Sequence, residues 1–192
     1  LTCAYHLALK GYRPTLFEAL DKPGGKLRGI PDSRLPKDVL DREINHILRL
    51  GVTLKTNTTL GKDFTLDDLF DQGYQAVFLG LGWLRPSKKS PTVGQAAALA
   101  ALADWSIAVS KKDTIIVDEG TYQTSRPGVF AAGDVQTGLR IAIEAVAGGI
   151  EAAESMDRYF RGVDLKEDRE APLRLISEGE WSPIPEKEPR TP

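Results

Sequence analysis

Short, largely apolar runs alternate with amphipathic segments along the first half of the chain. The amphipathic segments place apolar side chains three and four positions apart, which predicts helices, and the apolar runs between them predict buried strands. The predicted helices are residues 1–10, 35–50 and 66–70, and the predicted strands in this half are residues 15–17, 52–56 and 76–79. A further strand is predicted in the second half, at residues 129–132. This alternation indicates an α/β fold, a doubly wound and mainly parallel sheet covered by helices.

The segment from Thr124 to Asp134 reads Thr-Ser-Arg-Pro-Gly-Val-Phe-Ala-Ala-Gly-Asp, and an Ala/Gly-rich helical pattern follows it. A β-hairpin insertion is predicted just before it, at residues 114–124, with its turn at 118–120. Gly133 lets a ligand approach the backbone closely, and Asp134 puts a carboxylate at the carboxyl end of a strand, where open α/β sheets bind ligands. Because a carboxylate accepts hydrogen bonds from sugar hydroxyls, the arrangement suits a flavin dinucleotide.

Composition is typical of a globular protein of one or two domains, with 192 residues of which 41% are hydrophobic. The 25 Lys and Arg residues nearly balance 27 Asp and Glu residues, which argues against nucleic acid as the main partner. Apolar runs fall short of the roughly 20 residues of a membrane span. The single cysteine, Cys3, excludes an intrachain disulfide framework and an iron–sulfur cluster held by this chain alone. A cytoplasmic setting fits best, and His6 and His46 lack the neighbours of a metal site.

Glu18 directly follows the predicted strand 15–17. The dinucleotide-binding fingerprint places an acidic ribose ligand at such a strand end, about 20 residues after its glycines. Counting back from Glu18 puts those glycines before Leu1, so the first strand and its phosphate-binding turn are expected to be missing. Glu18 is interpreted as a ribose ligand, and a solvent-exposed charge at a strand end is the alternative.

Several motifs occur in a fixed order along the chain. They are Phe17-Glu-Ala-Leu-Asp-Lys-Pro-Gly-Gly-Lys-Leu-Arg-Gly-Ile-Pro31, Ser33-Arg-Leu-Pro36, residues 56–63, residues 76–82, Val93-Gly-Gln95 and residues 114–162. In this order they resemble the small subunit (beta chain) of NADPH-dependent glutamate synthase and related FAD-dependent pyridine nucleotide oxidoreductases. The resemblance covers most of the chain and implies a Rossmann-like FAD-binding domain.

The resemblance and the local chemistry together give a set of candidate cofactor-binding residues. They are Glu18, Gly24, Gly25, Leu27, Arg28, Arg34, Leu60, Gly80, Gly82, Gly133, Asp134, Leu139, Arg140 and Ile141. A surface salt bridge is the alternative for Arg28 and for Arg34, core packing is the alternative for Leu60, and Gly80 and Gly82 could be simple turn glycines. No catalytic acid or base is nominated, because flavin hydride transfer depends on positioning more than on proton chemistry.

The helix after Asp134 is expected to begin at Gly138, Leu139 and Arg140. Its positive end would face the pyrimidine side of the isoalloxazine and favour the anionic reduced flavin. Ile141 is apolar where the resembled chains usually carry a small polar residue, so backbone groups are expected to make the contacts there. The small residues along this helix are expected to pack closely against the sheet.

The segment between Gly82 and Val93 is short for this family. In the resembled flavoproteins a complete NADPH-binding domain lies between the corresponding positions, and a βαβ unit needs roughly 30 residues or more. The NADPH domain is therefore expected to be missing from this sequence, and with it the NADPH site. The predicted division is a discontinuous FAD-binding domain at residues 1–86 and 93–162, a junction at 87–92 and an extended C-terminal arm or linker at 163–192.

The resemblance implies an oxidoreductase that passes hydride from NADPH to FAD and electrons onward to iron–sulfur clusters in another domain or subunit. The implied partner is that iron–sulfur-containing domain or a large amidotransferase-type subunit, with a homodimer as an open alternative. Two other functions also stay open. One is a flavin-free domain fragment that acts as an assembly module, and the other is a related reductase that delivers electrons to a ferredoxin or a quinone.

Overall fold

A computed structural model describes residues 1–85, 95–138, 141–167 and 169, with the backbone alone at 95 and 96. The junction at 87–92 and most of the arm at 163–192 lie outside these residues. The helices are α1 (Thr2–Leu9), α2 (Lys37–Leu48), α3 (Leu66–Asp71), α4 (Gln95–Ala101), α5 (Asp134–Thr137) and α6 (Ala142–Arg161), and the strands are β1 (Thr15–Phe17), β2 (Thr53–Lys55), β3 (Val77–Leu79) and β4 (Val129–Ala131). Each helix and strand predicted in the first half of the chain is confirmed to within a few residues.

The four strands form two parallel pairs. In one pair Thr15 of β1 lies opposite Thr53 of β2, and in the other Val77 of β3 lies opposite Val129 of β4. Within the described part of the chain these are two separate two-stranded sheets, so the single continuous sheet that the sequence indicates is not formed there. Parallel pairing nevertheless places the carboxyl ends of both strands of a pair at the same edge.

Helices and loops cover both faces of the β3–β4 pair. Phe130 packs with Cys3, Leu7 and Met156 of α1 and α6. Its neighbours in β4, Val129 and Ala131, point to the other face and join a second core cluster, which also contains Leu66, Leu79, Leu84, Leu102, Trp105, Ile107, Ile115 and Val135. Strands that are apolar on both faces are typical of a parallel sheet inside an α/β fold.

The predicted hairpin is present as isolated antiparallel bridges instead of a continuous ladder. Val117 pairs with Thr124, and Gln123 pairs in turn with Phe130 of β4. Tyr122 has a φ of 58°, outside the extended region, and this interrupts the second strand of the hairpin. The segment therefore lies along β4 as an irregular antiparallel strip.

Helix α6 starts later than the sequence indicates. Gly138, expected in its first turn, instead ends the separate short helix α5 with φ 79° and ψ −166°, and α6 begins at Ala142. That backbone conformation is open essentially to glycine alone, so the helix cannot run through this position. The expectation that Gly138 opens the long helix is wrong, whereas Leu139 and Arg140 lie outside the described residues.

Only part of the small-residue face of α6 packs as expected. A Cβ at Gly149 would lie 3.0 Å from Thr2 Cβ, and a Cβ at Gly148 would lie 2.9 Å from Ala132 Cβ, so glycine allows α6 to approach both α1 and β4. The first two turns of the helix are different, since Ala142 and Ala145 are exposed. None of the helices in the described ranges has the length and apolarity needed to cross a membrane.

Candidate functional site

The Gly133–Asp134 turn connects β4 to α5 at the carboxyl end of the strand. Gly133 has φ 78° and ψ −155°, a conformation that residues with a Cβ rarely adopt, and its carbonyl accepts hydrogen bonds from the amides of Gln136 and Thr137 at 2.8 and 3.0 Å. This geometry directs the chain away from the sheet and leaves the Asp134 carboxylate at the strand end. The Asp134 side chain is largely buried, with 16% of its surface exposed.

The loop after β1 carries the second group of candidate residues. The Glu18 carboxylate accepts a hydrogen bond from the Leu20 amide at 3.0 Å, which folds the start of the loop back on itself. Gly24 and Gly25 follow with φ of 123° and 50°, and a 3₁₀ turn spans Gly25–Gly29. A Cβ at Gly25 would meet no atom within 4 Å, so the backbone there faces open space that a ligand can enter.

One ion pair brings these two motifs together. The Lys26 ammonium lies 2.5 Å from Asp134 Oδ2, although the two residues are 108 positions apart in the sequence. Lys26 is on the loop that follows β1, and Asp134 is on the turn that follows β4. The ion pair therefore brings the loop after β1 against the turn after β4, at the carboxyl ends of the two separate strand pairs.

Strand register adds two further candidates to this edge. Leu79 lies opposite Ala131, so Gly80 continues alongside Ala132, close to the Gly133–Asp134 turn. Gly82 has a φ of 73° and is half-buried. Both glycines thus follow β3 at the same edge at which Asp134 follows β4.

Leu60 lies in the segment after β2, at the carboxyl edge of the β1–β2 pair. It is half-buried, forms a bridge with Phe64 and packs against the core cluster around Leu66. Its side chain therefore has the core role that was left open as an alternative. The backbone contact with adenine remains a prediction.

The two candidate arginines differ in their surroundings. Arg28 donates to the Pro23 carbonyl at 2.6 Å and to Asp41 Oδ1 at 2.7 Å, and its hydrogen bond lowers the pKa of Asp41. The salt bridge considered for Arg28 is thus present and ties the Gly-Gly loop to α2. Arg34 is exposed and has no ion-pair partner among the residues that the structure describes. A role of Arg28 or of Arg34 in binding flavin remains a prediction.

An exposed apolar surface lies beside the Gly133–Asp134 turn. Ile141, the N-cap residue of α6, is 62% exposed and makes no capping hydrogen bond through its side chain. Ile143 is 63% exposed, and Ala145 Cβ lies 3.4 Å from the position of a Cβ on Gly133. The start of α6 therefore leaves apolar side chains exposed, while Ala145 on the same helix contacts the Gly133 turn. Of the remaining candidates, Leu27 is half-buried within the 3₁₀ turn.

Sequence reasoning missed Lys26. Its position directly after two glycines was visible, but no local pattern indicates that its side chain reaches a carboxylate so far along the chain. Among the described residues, no three His, Cys, Asp or Glu side chains converge in a way that could hold a metal ion.

Comparison with known proteins identifies several similar sequences. A family model for flavin containing amine oxidoreductase matches residues 1–71. The NADP(+)-dependent formate dehydrogenase subunit beta of Moorella thermoacetica is 28% identical over 300 residues, which take in 84% of this chain and 42% of that protein. The glutamate synthase [NADPH] small chain of Escherichia coli K12 is 40% identical over 83 residues, which take in 43% of this chain and 17% of that protein. The chain thus spans less than half the length of these relatives.

A solved thioredoxin reductase from Gloeobacter violaceus has the same overall fold. It superposes with a TM-score of 0.53 at 13% sequence identity and covers 88% of this chain and 94% of its own. At so low an identity the match shows the fold alone. The chain therefore has a Rossmann-like α/β fold, and its similarity to NAD(P)-dependent oxidoreductase subunits, the glutamate synthase small chain among them, confirms the resemblance seen in the sequence.

Proposed function

We propose that the crevice between the loop after β1 and the Gly133–Asp134 turn binds FAD. The observation that carries this proposal is the contact of Lys26 with Asp134, since it joins the carboxyl ends of two parallel strand pairs into one site. Open α/β sheets bind ligands at this edge. A long dinucleotide can bridge the two pairs, whereas a small ligand would fill only one of them.

The described residues fit the parts of FAD. Asp134 and Glu18 offer carboxylate oxygens to the hydroxyls of the ligand, and Gly25 leaves space for a group that a Cβ would exclude. Ile141, exposed at the start of α6, suits contact with a flat aromatic ring system. In the same proposal Arg34 and the backbone of Gly82 line the flavin side.

When bound, FAD would accept a hydride and release electrons one at a time. The chain's own residues would position the cofactor and shield it from water, while the N-terminus of α6 would favour negative charge on the flavin ring. We propose NADPH as the hydride donor, because both relatives carry NADP or NADPH in their names. Iron–sulfur clusters in another domain or subunit are the proposed acceptor, and the cytoplasm is the proposed location.

The discontinuous domain division is part of this proposal. The match to the formate dehydrogenase subunit runs over 300 positions but takes in only 84% of the 192 residues of this chain. The aligned residues of this chain are therefore far fewer than the aligned positions, which supports a stretch of the relative that has no counterpart in this chain. We place that stretch at the junction 87–92. Intact mass of the purified protein distinguishes the two possible origins of this gap. A surplus of roughly one domain, about 100 residues, over the 21.0 kDa of this sequence indicates that the NADPH domain is present in the protein and not included in the sequence. A mass equal to that of the sequence indicates that the domain has been removed.

Two measurements test the flavin site itself. The purified protein should show flavin absorbance in the visible range, or bind added FAD and quench its fluorescence. Asp134→Ala should weaken this binding at least tenfold, because the hydroxyls of the ligand lose their acceptor. The matched control Asp21→Ala removes an exposed carboxylate from the same loop as Glu18 and should leave the affinity unchanged. A well-folded protein that binds no flavin contradicts the proposal and favours the assembly-module alternative.

A further inference from the structure

Lys26 is the charged group in this crevice that neither the sequence motifs nor the proposed cofactor contacts account for. Its ammonium contacts Asp134 Oδ2 at 2.5 Å, while its side chain remains 40% exposed and that of Asp134 16% exposed. The lysine thus reaches from the rim of the crevice to a carboxylate inside it. In doing so it takes the place beside Asp134 that a hydroxyl donor of a ligand would need.

Lys26 adds a positive charge beside Asp134 in this crevice. Asp134 and Glu18 each bring a negative charge to the strand ends, and Arg28 is already held by Asp41 at 2.7 Å. A dinucleotide adds two further negative charges on its phosphates. Without a cation between them, the carboxylates would repel the phosphates across a partly desolvated site, where charge interactions are stronger than in water.

Resting on the proposed flavin site, we infer that Lys26 is a specificity-determining residue: it neutralises Asp134 and so selects flavins that carry phosphate over flavins that lack it. The adjacent glycines allow the lysine to reposition, because Gly24 and Gly25 have φ of 123° and 50° and Gly25 has open space around it. When a ligand hydroxyl binds Asp134, the ammonium is released toward the phosphates that arrive with it. Lysine suits such an exchange, since its flexible stem carries a compact charge with three donors.

The test compares FAD with riboflavin, which has the same ring system and no phosphate. Dissociation constants are measured by quenching of flavin fluorescence in the full-length protein after removal of any bound flavin. In Lys26→Met the dissociation constant for FAD should rise about tenfold while that for riboflavin stays within about twofold of the parent. Lys26→Arg keeps the charge and should retain most of the preference for FAD. Raising the salt concentration should reduce the preference of the parent protein more than that of Lys26→Met.

Lys22→Met is the matched control. Lys22 lies on the same loop, is 60% exposed and has its ammonium 3.9 Å from Asp41, away from Asp134. The Lys22→Met variant should leave the dissociation constants for FAD and for riboflavin unchanged. Equal losses in Lys26→Met and Lys22→Met, or equal losses for FAD and riboflavin, would overturn the assignment of Lys26 while leaving the flavin site in place. A parent protein that binds neither flavin would overturn the proposed function itself, and the inference with it.

Discussion

The backbone at Gly133 offers a sharp test of the turn that presents Asp134. We consider Gly133→Ala, in which a single methyl group is added. Gly133 has φ 78° and ψ −155°, and holding a residue with a Cβ in this region costs about 3 kcal/mol. Space is not the problem, since the added Cβ would lie 3.4 Å from Ala145 Cβ, an ordinary van der Waals contact. The expected loss of stability is therefore a backbone effect.

Gly162→Ala is the matched control for this substitution. Gly162 ends α6 with φ 67° and ψ 26°, in the left-handed region, and its Cβ would meet no atom within 4 Å. Alanine in that region costs about 1 kcal/mol. Both substitutions reduce the entropy of the unfolded chain alike, so the difference between them should be about 2 kcal/mol.

Urea-induced unfolding followed by far-UV circular dichroism gives the free energy of unfolding of each variant. Gly133→Ala should reduce the free energy of unfolding clearly more than Gly162→Ala does. It should also bind FAD more weakly, because the turn shifts. If Gly133→Ala is as stable as the control variant, the turn does not have the described backbone geometry. The argument that it fixes the position of Asp134 would then be refuted.

Three further predictions concern the region where α1 packs on α6. Tyr12 donates a hydrogen bond to Asp157 Oδ1 at 2.7 Å, so a double-mutant cycle of Tyr12→Phe and Asp157→Ala in urea should give a coupling of about 1 kcal/mol, and additive losses would contradict this contact. Burial raises the pKa of Asp157, but the Tyr12 hydrogen bond and the charges of Lys10 and Arg161 outweigh it and hold the pKa below its ordinary 3.8. Because the pKa of Asp157 is lower in the folded state than in the unfolded state, its charge stabilises the fold fully at pH values above the pKa of the unfolded state. The free energy of unfolding should therefore fall as the pH drops below about 4 and through the pKa of the folded state. Asp157→Asn removes this titrating group, so its free energy of unfolding should fall less on acidification. Burial raises the pKa of the Cys3 thiol to about 12. Iodoacetamide at about pH 8 should therefore leave the folded protein unmodified and react with Cys3 once urea unfolds the chain. Rapid labelling of the folded protein would show instead that the thiol is accessible.

Local pattern explains which parts of the fold could be predicted. The strands at 15–17 and 77–79 and the helix Lys37–Leu48 lie where short apolar runs or amphipathic spacing place them, and a capping box formed by Thr65 and Asp68 fixes the start of α3. Helix α4 is not predictable in this way, because its alanine-rich segment has no polar face to mark a helical period.

The departures arise at two residues whose backbone has a positive φ. Gly138 sits inside what reads as a continuous helical pattern, and its glycine-only backbone angles divide that pattern into α5 and α6. Tyr122 interrupts the hairpin in the same way, with a φ that no propensity indicates.

The candidate site could also be predicted only in part from the sequence. Its glycines and Asp134 were identified from motifs, yet the contact that joins them comes from Lys26 across 108 positions. Only the folded chain shows that these loops meet. The roles of the individual residues in binding flavin stay predictions.

Hydrogen–deuterium exchange of the full-length protein, with and without FAD, tests the shared crevice most directly. The account predicts slower amide exchange on FAD binding in two segments at once, the Gly-Gly loop at residues 23–30 and the turn at residues 131–138. The solvent-facing side of α2 serves as an internal reference and should exchange unchanged. Protection confined to one of the two segments, or absent from both while FAD is bound, would contradict a single site built from both strand pairs.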